Sequence, residues 1–228
     1  MNFSLRYWVA RLGDHMSRGQ LRALDGVPRY MQLGFLMREM GYRIGSIDPL
    51  VNSREDLFDV AGREVGDRKA LYLEFGVFQG KSMRHWSKIL TNPNSSLHGF
   101  DSFEGLPDAW NLDYQRGHFS TDGAIPVIDD PRVRFFKGWF DQSLAAYEMP
   151  EHEVLVVNFD ADLYSSTMDI LKRIGPHIVP GTYLFFDEFN EPQHELRAFM
   201  EFSAASRKKF VVRGATKWLA NVLFQCVG

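Results

Sequence analysis

The sequence predicts an α/β protein: a doubly wound, mostly parallel sheet with a C-terminal antiparallel hairpin and an N-terminal helical extension. Three observations predict it. From Lys69 onward, short apolar runs alternate with stretches of helical composition, the pattern of a parallel sheet covered on both faces. The first apolar run, Leu71 to Phe75, leads into a glycine turn, Gly76 to Gly80, and then into helical residues from Lys81. The last two apolar runs, Phe210 to Arg213 and Leu219 to Cys226, flank Gly214 to Lys217 with no helix between them, which predicts a hairpin.

Taken in order, residues 1–65 carry helical patterning broken at Gly13, at Gly26-Val27-Pro28, at Gly41 and at Asp48-Pro49. Several short helices are expected there, forming a cap or lid, because glycine and proline interrupt a helix. Residues 66–228 form the sheet domain. Within it the pattern predicts strands at 70–75, 96–101, 132–137, 153–160 and 182–187, and helices at 82–90, 140–147, 165–174 and 192–206. Residues 102–130 are polar and too long for an ordinary connector, and such loops in compact domains tend to be functional.

Composition bounds the function. A chain of 228 residues holds one full α/β domain with an extension. With 45% hydrophobic and 24% charged residues and a formal net charge of -3, it lacks the basic excess of nucleic-acid binders. No apolar run approaches the roughly 18 residues of a membrane span, and the first 15 residues lack a signal-peptide core, so the cytoplasm is the expected compartment. The single cysteine, Cys226, reads as a buried thiol. A small-molecule partner is therefore expected, without nucleic acid or membrane, and self-association is left open.

The segment LYLEFGVFQGKS, followed by LHGFDSFEGLP, reads as a cofactor site. A strand, a glycine loop and a helix place backbone N–H groups and a helix N-terminus beside a ligand. Asp101, at the end of the next strand, suits the hydroxyls of a ribose. Phe78 stands where a dinucleotide loop has its second glycine, which disfavours a pyrophosphate. S-adenosylmethionine has no phosphate, and its ammonium and carboxylate suit Glu74 and the backbone donors around Gly80 and Ser82. Trp139, after Gly138 at the end of the third strand, is placed for an adenine contact or for packing.

The fourth and fifth strands end in acids: Asp160-Ala161-Asp162 and Asp187-Glu188. Carboxylates so crowded must be protonated, paired or bound to a cation. An all-oxygen set suits Mg²⁺ or Ca²⁺, with Asp160, Asp187 and Glu188 as ligands and Asp162 as general base for an acceptor hydroxyl. The alternative is that these acids cap the helices that follow them. His85 and His98 read as structural, and His118 and His194 as weaker candidates to reach an acceptor.

LEFGVFQGKS, GFDSFEGLPDAW, GHFST, KGWFDQSL, FDADLYSSTMDIL and FFDEF occur in the order found in the macrocin O-methyltransferase family, which this chain resembles over residues 70–226. The resemblance implies a class I S-adenosylmethionine-dependent O-methyltransferase acting on a sugar hydroxyl, with Mg²⁺ at the acceptor. Position by position, Asp160, Asp187 and Glu188 resemble the metal ligands and Asp162 the base. Glu74, Gly76, Gly80, Ser82, Asp101, Ser102 and Gly138 resemble cofactor contacts. Two departures stand out: Glu188 where the family usually has a second aspartate, and Asn158 where it has an arginine. The competing classes are a nicotinamide-dependent oxidoreductase, disfavoured by Phe78, and a non-catalytic S-adenosylmethionine-binding protein, disfavoured by the intact acid cluster. The identity of the acceptor stays open.

Overall fold

A computed structural model describes residues 3–16, 29–110 and 114–228. The break expected at residues 26–28 lies outside them. Two helices open the chain, α1 (Phe3–Gly13) and α2 (Arg29–Glu39), and pack on each other. A short strand β1 (Leu50–Val51) and helix α3 (Arg54–Val65) follow. Ser53 caps α3: its Oγ accepts from the Asp56 N–H at 3.1 Å, and the Asp56 carboxylate accepts from the Ser53 N–H at 3.0 Å. Gly66 ends the helix at φ 63, a conformation that suits glycine.

The sheet then forms from β2 (Ala70–Phe75), β3 (Ser96–Asp101), β4 (Val133–Lys137), β5 (Val154–Phe159), β6 (Tyr183–Phe186), β7 (Phe210–Thr216) and β8 (Val222–Cys226). Helices α4 (Lys81–Ile89), α5 (Phe140–Ser143), α6 (Tyr164–Ile174) and α7 (Glu195–Ser206) connect them. Across the sheet the order is β1-β7-β8-β6-β5-β2-β3-β4. Every pairing is parallel except those of β8 with β6 and β7. The doubly wound sheet and terminal hairpin predicted from the sequence are present. Residues 50–65 add an edge strand and a helix to this sheet layer.

Alternation along β2 divides the core. Leu71, Leu73 and Phe75 face the cluster that holds Ile170, Leu171, Leu196 and Phe199 of α6 and α7. Ala70 and Tyr72 face the cluster with Leu57 and Phe58 of α3 and Trp86 of α4. Tyr72 stacks on Trp86 with ring centroids 4.7 Å apart, and Phe58 lies 4.6 Å from Phe185. Burying such rings contributes about 1.5–3 kcal/mol each.

Two boundaries differ from expectation. The helix predicted over 140–147 stops at Ser143, and the Arg173 guanidinium donates to the carbonyls just beyond its end, Leu144 at 2.9 Å and Ala145 at 3.3 Å. The helix predicted from 192 begins at Glu195. β2 lies between β3 and β5, so the chain winds outward on one side and returns on the other. Ligands in open α/β sheets bind at this crevice, beyond the carboxyl ends of the strands. Among the described residues no helix is long and apolar enough to cross a membrane.

Candidate active site

A cavity of about 1100 Å³ opens at that crevice. Its floor is the set of strand ends, and its rim includes Trp110, Tyr114 and Phe119 from the long loop. Small-molecule sites run from about 300 to 1,000 Å³, so this cavity lies at the upper end of that range.

One side is built by the glycine loop. Gly76 stands at φ 92, and a side chain there would place its Cβ 1.7 Å from the Asp160 carbonyl oxygen, so this position has to be glycine. That close approach brings the loop against the end of β5. Asp101 then fixes the loop itself: one carboxylate oxygen accepts from the N–H groups of Val77 at 2.7 Å and Phe78 at 2.8 Å, and the other from Phe103 at 2.7 Å. These bonds hold Phe78 in the left-handed region, at φ 49. Ser82, Ser102, Gly138 and Trp139 complete this wall.

The other side is built by acids and one arginine. Arg54 Nη1 lies 3.0 Å from Asp160 Oδ2 and 3.2 Å from Asp187 Oδ2, a bridge between the ends of β5 and β6. The Asn221 amide, in the turn between β7 and β8, donates to the second oxygen of Asp187. Beneath them Glu195, fully buried, accepts from the N–H groups of Ala161 and Asp187 at 3.1 Å each and so ties the two strand ends together.

Crowding of carboxylates out of water sets the electrostatics. Burial first, then the charges of Asp187, Glu188 and Asp101, push the Asp162 carboxyl up to about 7. Burial and Asp187 raise Asp160 well above the carboxylate range, and burial raises Asp187 against the pull of Arg54. Burial disfavours the charged guanidinium of Arg54, but Asp187 and Asp160 more than offset it and raise its pKa. Asp162 also has a left-handed backbone, φ 57, uncommon for a residue with a side chain and typical of functional turns.

Of the residues singled out from the sequence, the structure brings Gly76, Ser82, Asp101, Ser102, Gly138, Trp139, Asp160, Asp162, Asp187 and Glu188 into the lining of one cavity. Glu74 and Gly80 stand behind it. Glu74 is 1% exposed, accepts from the Tyr72 hydroxyl at 2.8 Å, and is pushed by burial up to about 8. Gly80 opens α4 at φ 75. The acids cap no helix: α6 starts behind Leu163 and α7 behind His194, neither with a side-chain cap from them. His85 pairs with Asp59 at 2.8 Å and His98 with the Tyr147 hydroxyl at 2.7 Å, both away from the cavity. His118 packs on Tyr114 and Phe119, and His194 lies edge-on to Trp110.

Sequence reasoning missed Arg54, Glu195 and Asn221. It left open whether the crowded acids are protonated, paired or bound to a cation, and Arg54 pairs two of them. Nothing in the local pattern around residue 54 signals a role 106 residues away. Glu195 reads in sequence as an ordinary first-turn helix acid.

The family described as macrocin-O-methyltransferase (TylF) matches residues 65–210. The 8-demethyl-8-(2,3-dimethoxy-alpha-L-rhamnosyl)-tetracenomycin-C 4'-O-methyltransferase of Streptomyces olivaceus is 28% identical over 137 residues, 51% of this chain and 52% of the relative. Demethyldecarbamoylnovobiocin O-methyltransferase of Streptomyces niveus is 28% identical over 164 residues, 63% of this chain and 60% of the relative. The chain thus spans a little over half the length of these curated relatives. The structure of the O-methyltransferase NovP superposes with a TM-score of 0.61 at 21% identity, over 77% of this chain and 80% of that chain. At that identity the likeness is one of fold.

Proposed function

This chain belongs to the macrocin-O-methyltransferase family, and from that premise we propose that it transfers the methyl group of S-adenosylmethionine to a hydroxyl of a sugar-like small molecule. The observation that carries the reading is the two-sided cavity: a loop and helix N-terminus on one wall, a basic carboxylate on the other. Both curated relatives described above are named as O-methyltransferases, one of them for a rhamnosyl-bearing tetracenomycin.

The loop wall holds the donor. Ser82, Asp101, Ser102, Gly138 and Trp139 are its proposed contacts together with the backbone of Gly76, while Glu74 and Gly80 support that wall from behind. The acceptor hydroxyl lies toward the acids, with the sulfonium methyl between the two walls, so that attack and departure are in line. The acceptor oxygen attacks the methyl carbon, the carbon–sulfur bond breaks, and the sulfur leaves as a neutral thioether. The hydroxyl proton passes to Asp162, which lines the cavity beside the other acids. Among the described residues of 1–65 only Arg54 lines the cavity, so the cover over the acceptor falls to the long loop through Trp110, Tyr114 and Phe119.

Mg²⁺ assistance is part of the proposal. Among the described residues no three His, Cys, Asp or Glu side chains are grouped tightly enough to hold a metal ion. Two features nevertheless suit one. The donors are hard carboxylate oxygens, and Asp160 and Asp187 already converge on a cation, the Arg54 guanidinium. Asp160, Asp187 and Glu188 would hold Mg²⁺, which when bound would acidify and orient the acceptor hydroxyl.

The test is incubation with S-adenosylmethionine and a panel of glycosides, read by mass spectrometry for gain of one methyl. Transfer to a glycoside hydroxyl is expected, and chelation with EDTA should suppress it while donor affinity measured by calorimetry is kept. Donor binding without transfer to any hydroxyl would leave a binding protein. Full turnover after exhaustive chelation would remove the metal from the reading.

A further inference from the structure

We propose that Arg54 is a resident cation that holds the acid pair in place and that a divalent metal has to displace, so that this side chain sets the metal affinity of the site. The inference rests on the Mg²⁺ reading above.

Asp160 and Asp187 point one oxygen each at the same guanidinium nitrogen, at 3.0 Å and 3.2 Å. All three side chains are largely withdrawn from water, at 26%, 24% and 14% exposure for Arg54, Asp160 and Asp187. Two carboxylates drawn together in such surroundings repel unless a positive charge stands between them. Arg54 supplies it, and a metal held by Asp160 and Asp187 would compete with it for the same carboxylates. Both cations cannot stay, because like charges a few ångströms apart away from bulk water repel strongly.

The rest of the site restricts how the exchange can occur. The other oxygen of Asp187 is held by Asn221, and Glu195 fixes the backbone of both strand ends, so the acids themselves have little freedom. Arg54 sits at the first turn of α3, whose start is clamped by the Ser53–Asp56 capping box and by the Glu55–Lys81 ion pair at 2.5 Å. Its backbone is therefore fixed. Its long side chain, however, lines the open cavity and can swing into it. Exchange by rotation of Arg54 is the route that the geometry leaves. Position 54 lies outside residues 65–210, the part that matches the family. The N-terminal segment thus adds a control element to the matched domain.

The test uses metal-free full-length protein and Mn²⁺ as the probe, with affinity read by electron paramagnetic resonance or calorimetry, for wild type, Arg54→Met and Arg54→Lys. Removing the competing cation should tighten Mn²⁺ binding about tenfold in Arg54→Met, and by less in Arg54→Lys, which keeps a charge but loses the fork. Metal-free Arg54→Met should also melt at a lower temperature and recover with Mn²⁺. In wild type, labelled arginine side-chain signals should report release of one restrained guanidinium as Mn²⁺ or diamagnetic Mg²⁺ is added, a readout that needs no variant. Unchanged or weaker Mn²⁺ binding in both variants, with wild type binding normally, would overturn the role of Arg54 and leave the metal reading standing. No metal binding by any of the three proteins at millimolar concentration would overturn the metal reading, and the competition with it.

Discussion

The two walls of the cavity are both built on acidic strand ends, yet they use their carboxylates in opposite ways. On the loop wall Asp101 stands alone and accepts three backbone N–H groups, so its charge is spent on shaping residues 77–78 and 103. On the opposite wall Asp160, Asp162 and Asp187 crowd one another with Arg54 between two of them, and burial raises all three carboxyls, that of Asp162 up to about 7. A carboxylate saturated by amides is a structural strut. One starved of donors beside other carboxylates is a base held ready to take a proton.

The largest expected effect is on the acid wall. Asp162→Asn keeps the shape and removes the basicity, so kcat should fall about 10²- to 10⁴-fold with donor affinity nearly kept. Steady-state kinetics beside calorimetry checks this. Turnover within a factor of two of wild type would erase the contrast between the walls.

Next is the buried tie beneath that wall. Glu195→Ala leaves the Ala161 amide unpaired in the interior, while the Asp187 N–H keeps the Phe159 carbonyl at 3.0 Å, so stability should fall by about 1–3 kcal/mol in denaturant melts. A loss under about 0.5 kcal/mol would mean that water replaces the carboxylate there.

The loop wall should respond differently. Asp101→Ala is expected to weaken S-adenosylmethionine by about 1.5–3 kcal/mol and to speed hydrogen exchange at Val77 and Phe78. If affinity falls while exchange protection stays, Asp101 acts on the ligand directly and the strut description fails.

A further effect is one of pH dependence. Glu74 in the folded chain titrates at about 8, above its unfolded value, so the native state keeps a proton that the unfolded state has released. Stability from this group is complete below the unfolded carboxyl pKa and declines as pH rises toward about 8. Glu74→Gln should flatten that decline in melts taken from pH 5 to 8. An unchanged slope would place the titration elsewhere.

How much of this was legible beforehand differs from element to element. The strands were read to within a few residues because their apolar runs are short and bounded, whereas helix 140–147 was read too long, and the carbonyls beyond its end are met by Arg173 from far along the chain. The acids at strand ends were legible because a doubly wound sheet brings strand ends together whatever the details of packing. Gly76 was legible as a turn, although its near contact with the Asp160 carbonyl was not.

By itself, the sequence determined the alternation of strands and helices, the glycine loop, and the placing of Asp101, Asp160, Asp162, Asp187 and Glu188 at one edge of the sheet. Only the tertiary structure decided which of these carboxylates are satisfied and which are strained. That depends on partners supplied from afar: Arg54 from α3, Glu195 from α7, Asn221 from the hairpin turn and the backbone amides of the loop. The physical reason is that periodicity and turn chemistry act over a few residues, whereas charge and desolvation act through space between groups that the chain brings together only when folded.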